Sequence, residues 1–183
     1  MKILTFSSSL RKDSVNSALI GVVNKILEEQ KCEVNTLHFS TFDMPLYNGD
    51  IESSSGVPKG ALRFRDEMDN SDGIIISSPE YNYSVPGTLK NAIDWTSRIT
   101  PKAFKGKHFF LMSASPALAG GARGLWHLRV PLEGLGSFVY PEMFSLFVNE
   151  TTFNGHELSD KTLRTNLENN IKGFLNNINT RCK

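Results

Sequence analysis

Cysteine is nearly absent from this chain: 183 residues contain only Cys32 and Cys182. The two lie far apart, without metal-ligand or redox-motif spacing, so a disulfide scaffold, a thiolate metal centre and a dithiol redox site are all disfavoured. Long apolar runs are missing as well. The start Met1-Lys2-Ile3-Leu4-Thr5-Phe6 meets serines before a signal-peptide core could form, and no stretch is long enough to span a bilayer. A soluble, cytoplasmic protein is expected. Neither sign of charge is in excess, because 20 Lys and Arg face 19 Asp and Glu. That balance indicates no nucleic-acid footprint and no acidic tail.

Several chemical signatures are missing too. There is no G-x-G-x-x-G after the first strand, and the second strand ends Leu37-His38-Phe39 without an acid for a ribose hydroxyl, which disfavours a Rossmann dinucleotide site. No glycine-rich loop closes on Gly-Lys-Ser/Thr, no serine sits in a G-x-S-x-G elbow, and His38, His108, His127 and His156 are scattered. Nucleotide hydrolysis, serine hydrolysis and metal chemistry thus have no supporting constellation. Any difficult chemistry is expected to come from a bound cofactor, with no catalytic side chain of its own.

What the chain does have is alternation. Lys2 to Phe6, Gly73 to Ile76, His108 to Met112 and Met143 to Val148 are short, almost continuously apolar runs, as in strands buried on both faces of a parallel sheet. Glu33 to Phe39 alternates and suits an edge strand. Between them lie helical patterns. Val15, Ala18, Leu19, Val22, Val23, Ile26 and Leu27 share one helix face, with Asp13 or Ser14 placed to cap. Leu89, Ala92 and Ile93 continue a helix opened at Pro86, Leu163 to Ile178 form a terminal helix, and a weaker one runs from Pro58 to Met68. Leu125 to Leu135 suggest another, which Pro131 should kink or interrupt. Ser40 to Gly56 reads as a long irregular loop. The pattern predicts a three-layer α/β/α single domain over 1–183, with a five-stranded parallel sheet in the order 2-1-3-4-5. A chain of this length buries about 70% of its unfolded surface and needs no covalent staple.

The ends of three core strands carry small hydroxyl residues: Ser7-Ser8-Ser9, Ser77-Ser78 and Ser113-Ala114-Ser115. In an open α/β sheet these ends converge on one edge, where ligands bind. The first loop, Ser7-Ser8-Ser9-Leu10-Arg11-Lys12-Asp13-Ser14-Val15-Asn16, combines hydroxyls, a guanidinium and helix N-terminal amides that together suit a terminal phosphate, with Asp13 counting against this unless it points away and caps. Ser78-Pro79-Glu80-Tyr81-Asn82 follows a buried strand and precedes a helix, so it brings backbone amides, a ring and a carboxylate to the same edge.

Ser9-Leu10-Arg11 with Ser14 and Asn16, then Pro79-Glu80-Tyr81-Asn82 with Leu89-Lys90-Asn91-Ala92-Ile93-Asp94-Trp95, then Ser113 to Arg123 with Gly120-Gly121, together resemble the NADPH-dependent FMN reductase family. That family has the flavodoxin-like fold and includes quinone, azo-dye and chromate reductases. The resemblance covers roughly residues 1–141. It implies tightly bound FMN, with NADPH or NADH as electron donor and hydride passing through the flavin to a small acceptor such as a quinone, azo compound, metal oxyanion or free flavin. Carried over, Ser9, Arg11, Ser14, Val15 and Asn16 would hold the phosphate, Pro79, Glu80, Tyr81 and Asn82 would contact the ring mainly through backbone groups, and Ser115 would border the site. Two departures stand out, Ser8 and Ala117, at positions often glycine in the family. The resemblance also implies a homodimer or tetramer, with Trp95 and Trp126 as interface candidates. The alternatives are an electron carrier of flavodoxin type, against which the balanced charge counts, and a noncatalytic binding module.

Overall fold

The computed structural model describes residues 1–181; Cys182, the second cysteine, lies outside them. Three strands form the centre of the sheet, β1 (Lys2–Ser7), β3 (Gly73–Ser77) and β4 (His108–Ser115), and their side chains are buried almost without a break. All are parallel, as continuous apolarity requires when helices cover both faces. β2 (Glu33–His38) pairs only with β1 and alternates between half-buried and exposed residues, as an edge strand should.

The fifth position of the 2-1-3-4-5 order is split. β5 (Phe138–Val139) pairs with the start of β4, and β6 (Phe144–Phe147) pairs with its end. Pro141 lies between them, and a proline has no amide to give to a ladder. β6 also corrects an expectation: Phe144 and Leu146 are buried while Ser145 and Phe147 are exposed, so this run lies at an edge and is not covered on both faces.

Alternate strand residues go to opposite faces. Ile3, Ile75 and Phe110 join α1 (Val15–Glu29) and α6 (Lys161–Arg181) through Leu19, Val23, Leu167, Ile171 and Phe174. Leu4, Phe6, Ile76 and Phe109 join α3 (Lys59–Asp69), α4 (Gly87–Thr96) and α5 (Ala122–Gly134) through Phe64, Leu89, Ile93, Leu125 and Leu128. Truncating any of these fully buried leucines to alanine should cost about 2–5 kcal/mol, the transfer term plus a cavity term.

Four details depart from the sequence expectation. Helix α5 runs through Pro131, because the proline falls near its end and removes one late hydrogen bond without dividing the helix. Pro86 is the cap residue of α4 and not its first helical residue. The segment 40–56 is not wholly irregular but contains α2 (Gly49–Ser55), which has no buried residue and therefore no apolar stripe to read. Asn48 caps it, and Tyr47 and Arg98 both bind Glu52. These partners hold the Glu52 carboxyl below its ordinary pKa, Arg98 having the larger effect. The fourth correction is Trp95, which is fully buried and donates from Nε1 to the Pro45 carbonyl at 2.7 Å. It packs within this subunit and is not available as an interface residue; Trp126, 60% exposed, is.

Candidate active site

The carboxyl ends of β1, β3 and β4 are tied together before any ligand is considered. Ser8 donates its amide to the Ser77 carbonyl at 3.1 Å, and Ser78 donates to the Met112 carbonyl at 2.8 Å. The Ser8 hydroxyl, at a position where the family pattern often has glycine, reaches Ser78 Oγ at 3.1 Å and joins the first loop to the second. Asn16 completes the bracket from the first turn of α1. Its Oδ1 accepts from Ser77 Oγ and the Ala114 amide, and its Nδ2 donates to the Ala114 carbonyl, each at 2.9 Å. Both acceptor positions of the Asn16 amide are thus spent on the scaffold. One side-chain N–H remains for the cleft, so Asn16 is chiefly a fastening between helix and sheet.

The first loop has the opposite character. Ser9 is half-buried, and Arg11, Lys12 and Asp13 are exposed. Ser14, not Asp13, caps α1, accepting from the Asn16 amide at 3.2 Å. The remaining first-turn amides, Val15 among them, have no intrahelical acceptor, and the helix dipole adds positive character there. Among the described residues the Arg11 side chain makes no hydrogen bond, ion pair or ring contact. Asp13, on this same loop, and Glu150 bring negative charge to the lining of the same cleft.

The second loop spends its side chains on its own shape. Tyr81 and Ser84 exchange backbone hydrogen bonds at 3.2 and 3.1 Å. Between them Asn82 and Tyr83 have φ of 49° and 66°, the left-handed pair of a type I′ turn. A tyrosine there is strained unless its surroundings hold it. Glu80 supplies that hold: its carboxylate accepts from Arg123 Nε at 2.9 Å and from the Gly124 amide at 3.0 Å. Arg123 in turn lies over the Tyr83 ring, 4.5 Å from its centroid.

Glycine is required where α5 begins. Gly121 has φ of 88°, and a Cβ on it would sit 1.9 Å from Ser113 Oγ. On Gly124 a Cβ would lie 3.2 Å from both the Glu80 Cβ and the Ser84 carbonyl oxygen. The closeness of α5 to the loop is what lets Glu80 reach its helix N-terminus.

Together the loops enclose a cleft of about 590 Å³. Ser9, Arg11, Ser14, Val15, Asn16, Pro79, Glu80, Tyr81 and Ser115 line it; Asn82, at the exposed turn, does not. Sequence reasoning missed Val148, Asn149 and Glu150, which also line it. They follow β6, so the only signal was that a fourth parallel strand must end on the same edge.

A doubly wound sheet in this order, with an anion-suited helix start and a cleft at the strand ends, defines a flavodoxin-like mononucleotide-binding protein. Residues 1–152 match the family model of NADPH-dependent FMN reductase, and the chain belongs to that family. It is 40% identical over 139 residues to a quinone reductase of Escherichia coli, covering 76% of this chain and 73% of that one. A Pseudomonas aeruginosa NAD(P)H-dependent FMN reductase is 38% identical over 136 residues, covering 72% and 69%. Among solved structures, the flavoenzyme NAD(P)H:(acceptor) oxidoreductase of Paracoccus denitrificans superposes with a TM-score of 0.85 at 30% identity, over 98% of this chain and 97% of that one. An archaeal flavodoxin, at 12% identity and a TM-score of 0.60, shares the fold.

This chain is accordingly an oxidoreductase with FMN as its flavin and a reduced nicotinamide nucleotide as donor. Its residues fit the group. Arg11 has no partner among the described residues to give up, the α1 amides are open, and Pro79 to Tyr81 stand at the cleft with the Glu80 carboxylate already bound to α5. Among the described residues there is no cluster of metal ligands and no helix long and apolar enough to cross a membrane.

Proposed function

We propose that this chain, as one domain over 1–183, holds one FMN tightly in the 590 Å³ cleft and reduces a small acceptor, of quinone class first, at the expense of NAD(P)H. The observation that carries the reading is the exposed, unpartnered Arg11 on the same cleft as the rigid Pro79–Tyr83 loop. Ser9, Arg11, Ser14 and the first-turn amides from Val15 would hold the phosphate, with the one free N–H of Asn16 beside them. Pro79 to Tyr81 would present backbone to the ring, with Asn82 in the turn that shapes them, and Ser115 would border it. When bound, FMN supplies the two-electron chemistry that links donor and acceptor.

The protein's own task is placement and electrostatics. Fixed backbone dipoles at the ring stabilise negative charge on it without reorganising as electrons arrive. The shared use of one cleft by donor and acceptor makes them alternate, so no second catalytic centre is needed. Relatives named quinone reductase support the acceptor class. The exposed Trp126 and Val130 on α5 support a homodimer, and the scarcity of cysteine supports a cytoplasmic setting.

The test is anaerobic addition of NADPH or NADH to the purified yellow protein. Bleaching of the flavin, restored by a quinone, with parallel initial-rate lines when both substrates vary, is expected. A flavin that neither nucleotide bleaches would leave a carrier or binding role in its place.

A further inference from the structure

A second cleft of about 480 Å³ lies on the other side of the first loop, between α1 and the carboxyl end of edge strand β2. It shares Ser9 and Arg11 with the flavin cleft and adds Lys12, Ser17, His38 and Ser40 at its rim, with Ile20 and Phe39 in its floor. Two features set it apart. In a chain whose charges balance, no carboxylate lines this cleft, whereas Asp13, Glu80 and Glu150 line the other. Lys12, like Arg11, has no hydrogen bond or ion pair among the described residues.

In the Rossmann order of the doubly wound sheet, where strands 1 and 2 are neighbours as they are here, the adenosine of a dinucleotide lies beside the end of the second strand. There an acid selects a free ribose diol, and a cationic or donor group accepts a phosphorylated ribose. Here the strand ends on His38, with Lys12 across from it on the first loop. Resting on the reading of the first cleft as the flavin site, we propose that this second cleft binds the 2′-phosphoadenosine end of NADPH, with Lys12 and His38 selecting NADPH over NADH. The apolar floor suits the adenine face, and the hydroxyls of Ser17 and Ser40 add phosphate donors. Ser9 and Arg11 border both clefts, so the two are neighbours on either side of the first loop.

The test uses FMN-loaded protein titrated calorimetrically with adenosine 2′,5′-bisphosphate, with 5′-AMP as comparator. The bisphosphate should bind about ten- to a hundredfold more tightly than 5′-AMP, and the flavin absorbance should show that FMN stays in place. His38→Asp should abolish that preference and raise KM for NADPH while leaving KM for NADH and FMN affinity unchanged, and Lys12→Ala, on the loop that carries Arg11, should abolish the preference as well. Equal binding of the two nucleotides, an unchanged preference in both variants, or displacement of FMN by the bisphosphate would overturn the assignment. Failure of NADPH to bleach the wild-type flavin would instead overturn the oxidoreductase reading, since the binding titration does not depend on turnover.

Discussion

The two loops that meet at the flavin cleft solve opposite problems. The first, from Ser9 to Ser14, keeps its strongest group free: Arg11 is exposed and unpartnered, and the backbone around it is ordinary. The second, from Pro79 to Ser84, leaves little free. Its carboxylate is bound to α5, its tyrosine lies under Arg123, and two residues are held left-handed. Binding strength in the first loop therefore depends on side-chain charge, and in the second on backbone shape. Substitutions should separate the two: changes that break the turn of the second loop or its support damage fold and flavin together, whereas removal of Arg11 from the first damages flavin binding alone.

The sharpest break should come from Gly121→Ala. The added Cβ meets Ser113 Oγ and the residue keeps a left-handed φ, costing about 2–4 kcal/mol. Calorimetry should show the melting temperature of the apoprotein falling by roughly 5–15 °C; an unchanged value would mean that α5 can shift without harm to the loop.

Next comes a pair at one position. Asn82→Pro demands φ near −65° where the turn has 49°, so FMN affinity should fall more than about tenfold with a loss of stability. Asn82→Gly accepts that φ at little steric cost and should keep FMN within a fewfold. If both variants bound FMN equally, the turn would not be holding the ring. The proline variant alone would not isolate the Asn82 amide as a donor, because it destroys the turn as well.

Arg11→Ala should weaken FMN by about ten- to a hundredfold through loss of a charge-assisted bond. The apoprotein should melt as before, since Arg11 supports nothing else. A lower apoprotein melting temperature would erase the contrast between the loops.

Glu80→Gln should retain FMN and remain reducible, because Gln can still accept from the Gly124 amide. It weakens the Arg123 bond, at about 1 kcal/mol of stability. A large shift in flavin midpoint potential would show instead that the Glu80 charge is felt at the ring.

The smallest effect is expected from acid acting on α2. Arg98 and Tyr47 hold the Glu52 carboxyl below its ordinary value of 4.5. Its ionised form therefore supports the Tyr47 and α2 segment above that pH, and the support is lost as pH falls through the lowered value. Tyr47 packs on Trp95 at 5.0 Å, so Trp95 fluorescence, followed with Trp126 replaced by Phe, should change in that range while far-ultraviolet dichroism holds. Simultaneous loss of both signals would tie this segment to the global fold.

Periodicity alone determined the central architecture. Continuous apolar runs made β1, β3 and β4 buried parallel strands, alternation made β2 an edge, and the hydroxyl ends of those strands pointed to the edge that carries the cleft. These are local consequences of burial, and each residue in the run carries the same message. Ser9, Arg11 and Ser14 were legible for a similar reason, since a cap and a free cation just before a helix are neighbours in the chain.

Only the tertiary structure decided how Asn16, Glu80 and Trp95 are used. Asn16 reads as a ligand from its motif, yet its partners Ser77 and Ala114 come from strands far along the chain. Glu80 finds Arg123 and Gly124 43 and 44 residues away, and Trp95 is buried because Pro45, 50 residues earlier, folds over it. The split fifth strand, the unstriped α2 and the two clefts on either side of one loop belong to the same class. A residue type states which bonds it can make; which of them it does make depends on what the fold brings within about 3 Å of it, and no local pattern records that.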